Sequence, residues 1–260
     1  MNALKGCIWR CAAGDTIMKK IAEIKSLNFT YPDGNTALED INLDIFEAET
    51  LGIIGPNGAG KSTLLLHLNG LLNGNGNVRI FDRPLIKENL SFIRSKVGFV
   101  FQDPQDQLFM PTVYEDVAFG PQNLGLRKQE IDKRVNDALG EVGLSDKKGH
   151  LSYHLSLGEQ RRLSIATVLS MSPEIIVLDE PNSNLDPASR RHLINLLKNL
   201  TITKVIATHD LEMVLDLCSR VVLLDKGRVI REGQPQEILS DKTLLEFHSL
   251  EVPLSLLFNK

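Results

Sequence analysis

The eight residues Gly55-Pro56-Asn57-Gly58-Ala59-Gly60-Lys61-Ser62 could hold a phosphate chain, because they fit the pattern G-x-x-x-x-G-K-[ST]. Glycines let a chain turn tightly and leave no Cβ between backbone and ligand. Successive backbone N–H groups then face one point, and a following helix adds partial positive charge there. Lys61 would neutralise the terminal phosphates, and the Ser62 hydroxyl would serve Mg²⁺. The plainer alternative is a glycine-rich turn ahead of a core helix. All four fixed positions, between an apolar run and a helical start, argue against it.

Two carboxylates, Asp179 and Glu180, close the apolar run Ile175-Ile176-Val177-Leu178. Parallel α/β sheets place ligand chemistry at such strand ends. Asp179 would hold Mg²⁺ through water, and Glu180 would orient and activate an attacking water. His209 ends another expected strand, Lys204-Val205-Ile206-Ala207-Thr208. A lone histidine is usually structural; beside these acids it is a candidate sensor of a terminal phosphate. Leu155-Ser156-Leu157-Gly158-Glu159 enters a helix with Ser156 as N-cap and Glu159 three residues on, a capping box. A capped N-terminus with a nearby glycine is also an anion site, although capping alone explains the residues. Tyr31, just before a turn, could stack on a nucleobase; more often such a residue is a strand-face aromatic.

The elements that must position these groups follow from periodicity. Leu51, Ile53 and Ile54 form a buried strand before the glycine loop, and Thr63 to Leu68 starts a helix after it. Upstream, Leu27, Phe29 and Tyr31, then Ile41, Leu43 and Ile45, alternate as antiparallel strands around Pro32-Asp33-Gly34-Asn35. Gly70 to Asn77 reads as a loop, and Val78 to Phe81 and Lys96 to Phe101 as strands, the second ending at Gln102. Asp103 to Pro111 mixes polar residues with Leu108, Phe109 and Met110, which suits a contact surface. Residues 112–150 read as helical: Ile131, Val135, Ala138, Leu139 and Val142 share one face, and Gly143 can end the helix. Asp186-Pro187 opens a helix carrying Leu193, Leu196, Leu197 and Leu200, Val221 to Ile230 reads as a hairpin, and 236–260 reads as leucine-rich helix.

The bulk properties narrow the class. A chain of 260 residues suits one large domain or a core with a subdomain. Its net charge of −4 supplies no basic field for nucleic acid or anionic lipid. No apolar run approaches the roughly 20 residues of a membrane span, so membrane association is expected to go through a partner. Three cysteines, Cys7, Cys11 and Cys218, argue against a disulfide framework. Cys218 shares a helical face with Leu211, Val214 and Leu215 and reads as a core thiol. Residues 1–17 read as a disordered extension or an upstream-start artefact, with Met18 as a natural start.

Taken in order, residues 20–235 resemble an ATP-binding-cassette (ABC) ATPase. Gly55 to Ser62 matches the Walker A loop, Ile175 to Glu180 the Walker B strand, and Gln102 the Q-loop. Leu155 to Glu159 matches the L-S-G-G-Q signature, with Leu157 for glycine and Glu159 for glutamine. Asn184-Leu185-Asp186 matches the D-loop, His209 the switch histidine and Tyr31 the A-loop aromatic. The stretch Phe101 to Phe109 with Thr112 to Pro121 is similar to energy-coupling-factor importer ATPases, the cobalt, nickel and vitamin group.

The resemblance implies an α/β fold: a P-loop NTPase cassette with RecA-like core, antiparallel β subdomain and helical subdomain. The cassette would span 18–235, with the helical subdomain at about 103–165 and a C-terminal helical extension over 236–260 that helps dimerise. ATP and Mg²⁺ are the implied ligands. Tyr31, Asn57, Gly58, Gly60, Lys61, Ser62 and Thr63 would bind nucleotide, with Ser156, Gly158 and Asp186. Ser62, Gln102 and Asp179 would serve the metal, and Glu180, His209 and Gln102 catalysis. In a head-to-tail homo- or heterodimer, the phosphate loop of one subunit would face Ser156 and Gly158 of the other across ATP. The implied partners are a transmembrane coupling subunit and a solute-binding membrane subunit, at the cytoplasmic face of the cell membrane, with no nucleic acid. A soluble ABC protein of repair or translation is the alternative. Leu64 to His154 is short for the inserted coiled coils or zinc modules of repair members, and one cassette is present where translation members usually carry two. The signature-like loop and the His209 strand argue against a P-loop kinase.

Overall fold

The computed structural model describes residues 18–258. The expected extension 1–17 lies outside the described residues.

Two sheets form the frame. The first begins with an antiparallel pair, β1 (Lys20–Thr30) and β2 (Thr36–Phe46), joined by the expected turn, where Tyr31 N–H donates to Asn35 O at 2.8 Å. Ile41, Leu43 and Ile45 alternate into the core of β2 as their spacing requires. In β1 strict alternation fails. Ser26 takes a left-handed φ of 48°, the register shifts there, and Ile24 and Leu27, three apart, both turn inward. Strand β4 (Asn75–Ile80) and the two-residue β5 (Arg83–Pro84) complete the sheet in the order β2-β1-β4-β5. The loop expected over 70–77 is therefore shorter: Asn75 and Asn77 pair with Asn28 and Lys25, so cross-strand pairing overrides the poor strand propensity of Asn and Gly.

The second sheet adds β3 (Thr50–Ile54), β6 (Val97–Val100), β7 (Ile175–Asp179), β8 (Thr203–Ala207), β9 (Arg220–Asp225) and β10 (Arg228–Gly233), in the order β10-β9-β3-β8-β7-β6. All pairings except the β9–β10 hairpin are parallel. Every residue of β3, β7 and β8 is buried, as a parallel sheet covered on both faces demands. Its coverings include α1 (Lys61–Leu68), α2 (Leu90–Lys96), α5 (Leu157–Leu169), α6 (Pro187–Asn199) and α7 (Leu211–Leu217). The helical reading of 112–150 resolves into α3 (Val113–Asn123) and α4 (Lys128–Glu141), which pack with α5. Helix α4 buries Ile131, Val135, Ala138 and Leu139, and the chain leaves it through Gly143 at φ 68°. The C-terminal stretch, read as helical, forms three short helices, α8 (Pro235–Leu239), α9 (Lys242–Phe247) and α10 (Leu254–Phe258).

Two arginines of the second sheet reach the first: Arg228 of β10 pairs with Glu39 of β2, and Arg220 of β9 bonds the backbone of Asp44 in β2. The Arg220 guanidinium donates to both oxygens of Glu49, at 2.8 and 3.0 Å, to Glu232 at 3.0 Å and to Asp44 O at 2.5 Å. Arg220 and Glu49 are both buried, so removing Arg220 would strand the Glu49 carboxylate, whereas removing Glu49 would leave Arg220 with the carboxylate of Glu232 alone. At the end of α7 the Cys218 thiol lies against Gly52 of β3, where any added Cβ would meet its Sγ at 2.9 Å. Burial pushes this thiol up to about 12, so at neutral pH it is a packing group.

Candidate functional site: a phosphate-binding cleft at the strand ends

The glycine loop leaves the C-terminal end of β3 and enters α1 at Lys61. Gly60 caps α1 in a left-handed conformation, φ 100°, and a Cβ there would come within 2.5 Å of Ala37 O. Gly58, at φ 79°, has nothing within 4 Å of its Cβ position, so a side chain would intrude on open cleft. Lys61 curls back over the loop. Its Nζ donates to Gly55 O at 2.8 Å and Pro56 O at 3.2 Å, and lies 3.9 Å from Glu180 Oε1. Burial holds the Lys61 ammonium below the usual lysine range, while Glu180 and Asp179 work to keep it charged.

Strands β7 and β8 bring the acids and the histidine alongside. Asp179 is buried; desolvation raises its carboxyl, the Ser62 hydrogen bond works against that, and neighbouring Glu180 adds to the rise. Asp179 Oδ1 has no hydrogen-bond partner in the protein. A buried, half-satisfied carboxylate bonded to a serine hydroxyl is the donor set a hard divalent cation takes when phosphate oxygens and waters supply the rest. Glu180 is also buried and adopts φ 43°, a left-handed conformation costly for a side-chain-bearing residue. Its Oε2 lies 2.8 Å from His209 Nδ1.

One open cleft of about 590 Å³ brings together Tyr31, Asn57, Gly58, Gly60, Lys61, Ser62, Thr63, Gln102, Glu180 and His209; Asp179 is buried behind its lining, bonded to Ser62. The Tyr31 hydroxyl pairs with Thr63 Oγ1 at 3.0 Å, and its ring sits edge-on to Phe29. Gln102 follows β6, and its carbonyl accepts from Arg161 of α5 at 2.6 Å.

Ser156, Gly158 and Asp186 lie outside this cleft. Ser156 caps α5: its amide donates to Glu159 Oε2 at 2.8 Å, and its Oγ accepts from Glu159 N at 3.3 Å. The bond from the Ser156 amide holds the Glu159 carboxyl below the usual carboxylate range. Gly158 is pressed against Ser189, whose Oγ would stand 2.4 Å from an added Cβ. Asp186 caps α6, accepting from Ala188 N at 2.9 Å, Ser189 N at 3.0 Å and Ser189 Oγ at 2.6 Å. Within one chain all three are helix caps or packing residues. Leu157 lies half-exposed beside them, lining a smaller hollow with Gln102 and Arg161.

Sequence reasoning passed over the residues that stitch the strand-end loops. Asp210 accepts from Arg190 Nε at 2.7 Å and Nη2 at 2.9 Å, and from Asn182 Nδ2 at 2.5 Å. The signal available was modest: an acid directly after His209, and an arginine one turn into α6.

Comparison with known proteins fits this geometry. A family model described as "ABC transporter" matches residues 38–183, more than half of the chain. A Gloeobacter violaceus protein, named provisionally as an ABC transporter ATP-binding protein, is 51% identical over 90% of this chain and 97% of its own. The energy-coupling factor transporter ATP-binding protein EcfA of Carboxydothermus hydrogenoformans is 48% identical over 91% of this chain and 89% of its own. Among solved structures, cbiO1 of Clostridium perfringens, part of the ABC transporter complex cbiONQ, superposes with TM-score 0.79 at 39% identity, covering 88% of this chain and 94% of that one. A dimeric post-hydrolysis state of the ATP-binding cassette MJ0796, bound to ADP and Pi, superposes with TM-score 0.75 at 31% identity, covering 83% of this chain and 99% of that one. The fold and cleft are those of an ATP-binding cassette, and the chain belongs to the ABC transporter family. It binds and hydrolyses ATP, coupling that hydrolysis to transport across a membrane.

Proposed function

We propose that this chain energises an importer of the energy-coupling-factor type, for cobalt or nickel ion or a vitamin. The observation that carries this reading is the near full-length likeness to EcfA, with the likeness to cbiO1 beside it. Among the described residues no helix is long and apolar enough to cross a membrane, so the chain would reach the membrane's cytoplasmic face through partners. A docking face is available beside the cleft. Leu108, Phe109, Met110, Pro111 and Tyr153 line a groove of about 610 Å³, with Phe109 and Tyr153 well exposed. A transmembrane coupling subunit would seat a helix there, and a separate solute-binding membrane subunit would select the cargo.

In this reading ATP lies along the cleft with its base at Tyr31 and its phosphates on the loop. The Gly58 and Gly60 turn, with Asn57, would supply the amide cradle, and Thr63 would hold Tyr31 in place. Lys61 would leave its carbonyl partners for the β- and γ-phosphates. Ser62, Asp179 and Gln102 would hold Mg²⁺, which neutralises phosphate charge when bound. Glu180 would accept the proton of the attacking water, and His209 would sense the γ-phosphate while its bond to Glu180 keeps that carboxylate aimed. Ser156, Gly158 and Asp186 would act from a second subunit, homo- or heteromeric. Their absence from the cleft of their own chain, and the dimeric MJ0796 cassette, support that pairing. Closing would require Glu159 to release Ser156, because its carboxylate occupies the amide that a phosphate would seek.

The test is purification of the tagged chain from its own cells in mild detergent. A co-purifying pair of membrane proteins, and ATP-dependent uptake of labelled cobalt, nickel or vitamin by vesicles holding the complex, would support the reading. Recovery of an ATPase without any membrane partner would refute it.

A further inference from the structure

The Glu180–His209 pair makes two contacts of its own, both to Glu180 Oε2: the side-chain contact from His209 Nδ1 and a longer bond from His209 N–H at 3.4 Å. The His209 side chain is 62% exposed, so packing does not fix it. Glu180 sits in a left-handed conformation, which persists only where neighbours over-determine it. What surrounds the pair is a polar lattice. Glu180 N–H donates to Ala207 O at 2.9 Å, and Ser183 N–H donates to Glu180 O at 3.2 Å. Two residues past Glu180, the Asn182 amide donates to Asp210 at 2.5 Å and accepts from Thr208 Oγ1 at 3.3 Å. Thr208 and Asp210 flank His209 directly, and Asp210 N–H donates to Thr208 Oγ1 at 3.1 Å. The loops after β7 and β8 are thus sewn together on both sides of the pair.

Asp210 is the knot. It also caps α7, accepting from Met213 N at 2.9 Å. Burial works to raise its carboxyl, but the Arg190 fork and these amides outweigh burial and leave it below the usual carboxylate range. Arg190 stands one turn inside α6, the helix that Asp186 caps, and reaches Asp210 with two parallel bonds. Without Arg190, Asp210 would be a partly buried charge beside His209 with only neutral donors.

We propose that Arg190 and Asp210 are positioning residues for ATP hydrolysis, fixing the Glu180–His209 pair by tying α6 to the two strand-end loops. Neither touches the phosphate loop, so nucleotide binding and turnover should separate. The inference rests on the roles proposed above for Glu180 and His209.

Arg190→Met, Arg190→Lys, Asp210→Asn and the Arg190→Met/Asp210→Asn double variant test it, with Glu180→Gln as reference. Steady-state ATPase rates, titration with a fluorescent ATP analogue and thermal melts are read on each full-length protein. Arg190→Met and Asp210→Asn should each lower kcat by about tenfold while KM and analogue Kd stay within about twofold. Arg190→Lys keeps the charge but not the fork and should recover part of the loss. The double variant should be no slower than the slower single, because both break one linkage. Unchanged kcat in Arg190→Met, kcat and binding falling together with the melting temperature, or additive losses in the double variant would each overturn the proposal. If Arg190→Met folds poorly, the near-isosteric Asp210→Asn decides alone. Normal turnover in Glu180→Gln would remove the roles beneath the inference; a dead Glu180→Gln with a normal Arg190→Met would remove only the inference.

Discussion

Replacing Asp179 by Asn should stabilise the nucleotide-free protein and abolish its response to Mg·ATP. Asp179 is 6% exposed, leaves Oδ1 unpaired, and adjoins Glu180. Asn keeps its shape and its bond to Ser62 while removing a charge that burial and Glu180 penalise, at the loss of part of the field that keeps buried Lys61 charged. An unsatisfied buried polar group costs about 1–3 kcal/mol, and the new amide still needs a partner, so we expect a net gain of about 1 kcal/mol. For a chain of this size that is a rise of about 2–4 °C in melting temperature. The pH dependence has a definite sign. The folded carboxyl titrates above its ordinary value of 3.8. Well below 3.8 both folded and unfolded forms are protonated and no buried charge is penalised. As pH rises from there the unfolded chain releases its proton first, so stability falls until the folded carboxyl ionises, then stays level. The advantage of Asn should therefore be smallest at the acid end and complete above the folded titration. Saturating Mg·ATP at about 100 times Kd should stabilise the wild type by about 2.7 kcal/mol and the variant far less, reversing their order. Melts from pH 4.5 to 8, with and without Mg·ATP, measure both effects. A variant less stable than wild type at pH 7.5 without nucleotide, or one that keeps the full Mg·ATP shift, would refute the reasoning.

Three further outcomes are expected. Glu180→Gln should bind ATP normally, turn over about 10²–10⁴-fold more slowly and elute as a trapped dimer on size exclusion with Mg·ATP. Tyr31→Ala should weaken ATP binding by about 1–2 kcal/mol, read by calorimetry, with little change in kcat, because a base-stacking face acts on ground and transition states alike. Phe109→Asp with Tyr153→Asp should abolish co-purification with a membrane partner while basal ATPase of the isolated subunit stays within about twofold, since neither residue lines the cleft.

The sequence declared the cleft more fully than the fold around it. Gly55 to Ser62, Asp179-Glu180 and His209 could be placed at strand ends because β3, β7 and β8 are short apolar runs with chemistry at their last residue. Ser156 and Glu159 read as a capping box from spacing alone, and that bond is present. Periodicity erred where tertiary pairing rules: Asn75 to Asn77 look like loop and pair as strand, and Ser26 breaks the alternation of β1. The Arg190–Asp210–Asn182 lattice was invisible because its members are polar, eight to twenty-eight residues apart, and meet only when α6 folds over the loops after β7 and β8. Similarly, nothing in the spacing of Ser156 and Asp186 says that they turn away from Lys61; only the folded chain does.

The links from β9 and β10 to β2, at Arg220–Asp44 and Arg228–Glu39, make the cassette a gauge of length. Tyr31 follows a strand of one sheet and Lys61 a strand of the other, and these links hold the two sheets in one register. A ligand anchored by its base at Tyr31, as proposed, would thereby be measured against a fixed distance at the other end. If the roles proposed for Tyr31, Glu180 and His209 hold, a spent diphosphate would keep its seat yet fall short of that pair, and the cassette would tell fuel from ash by reach alone.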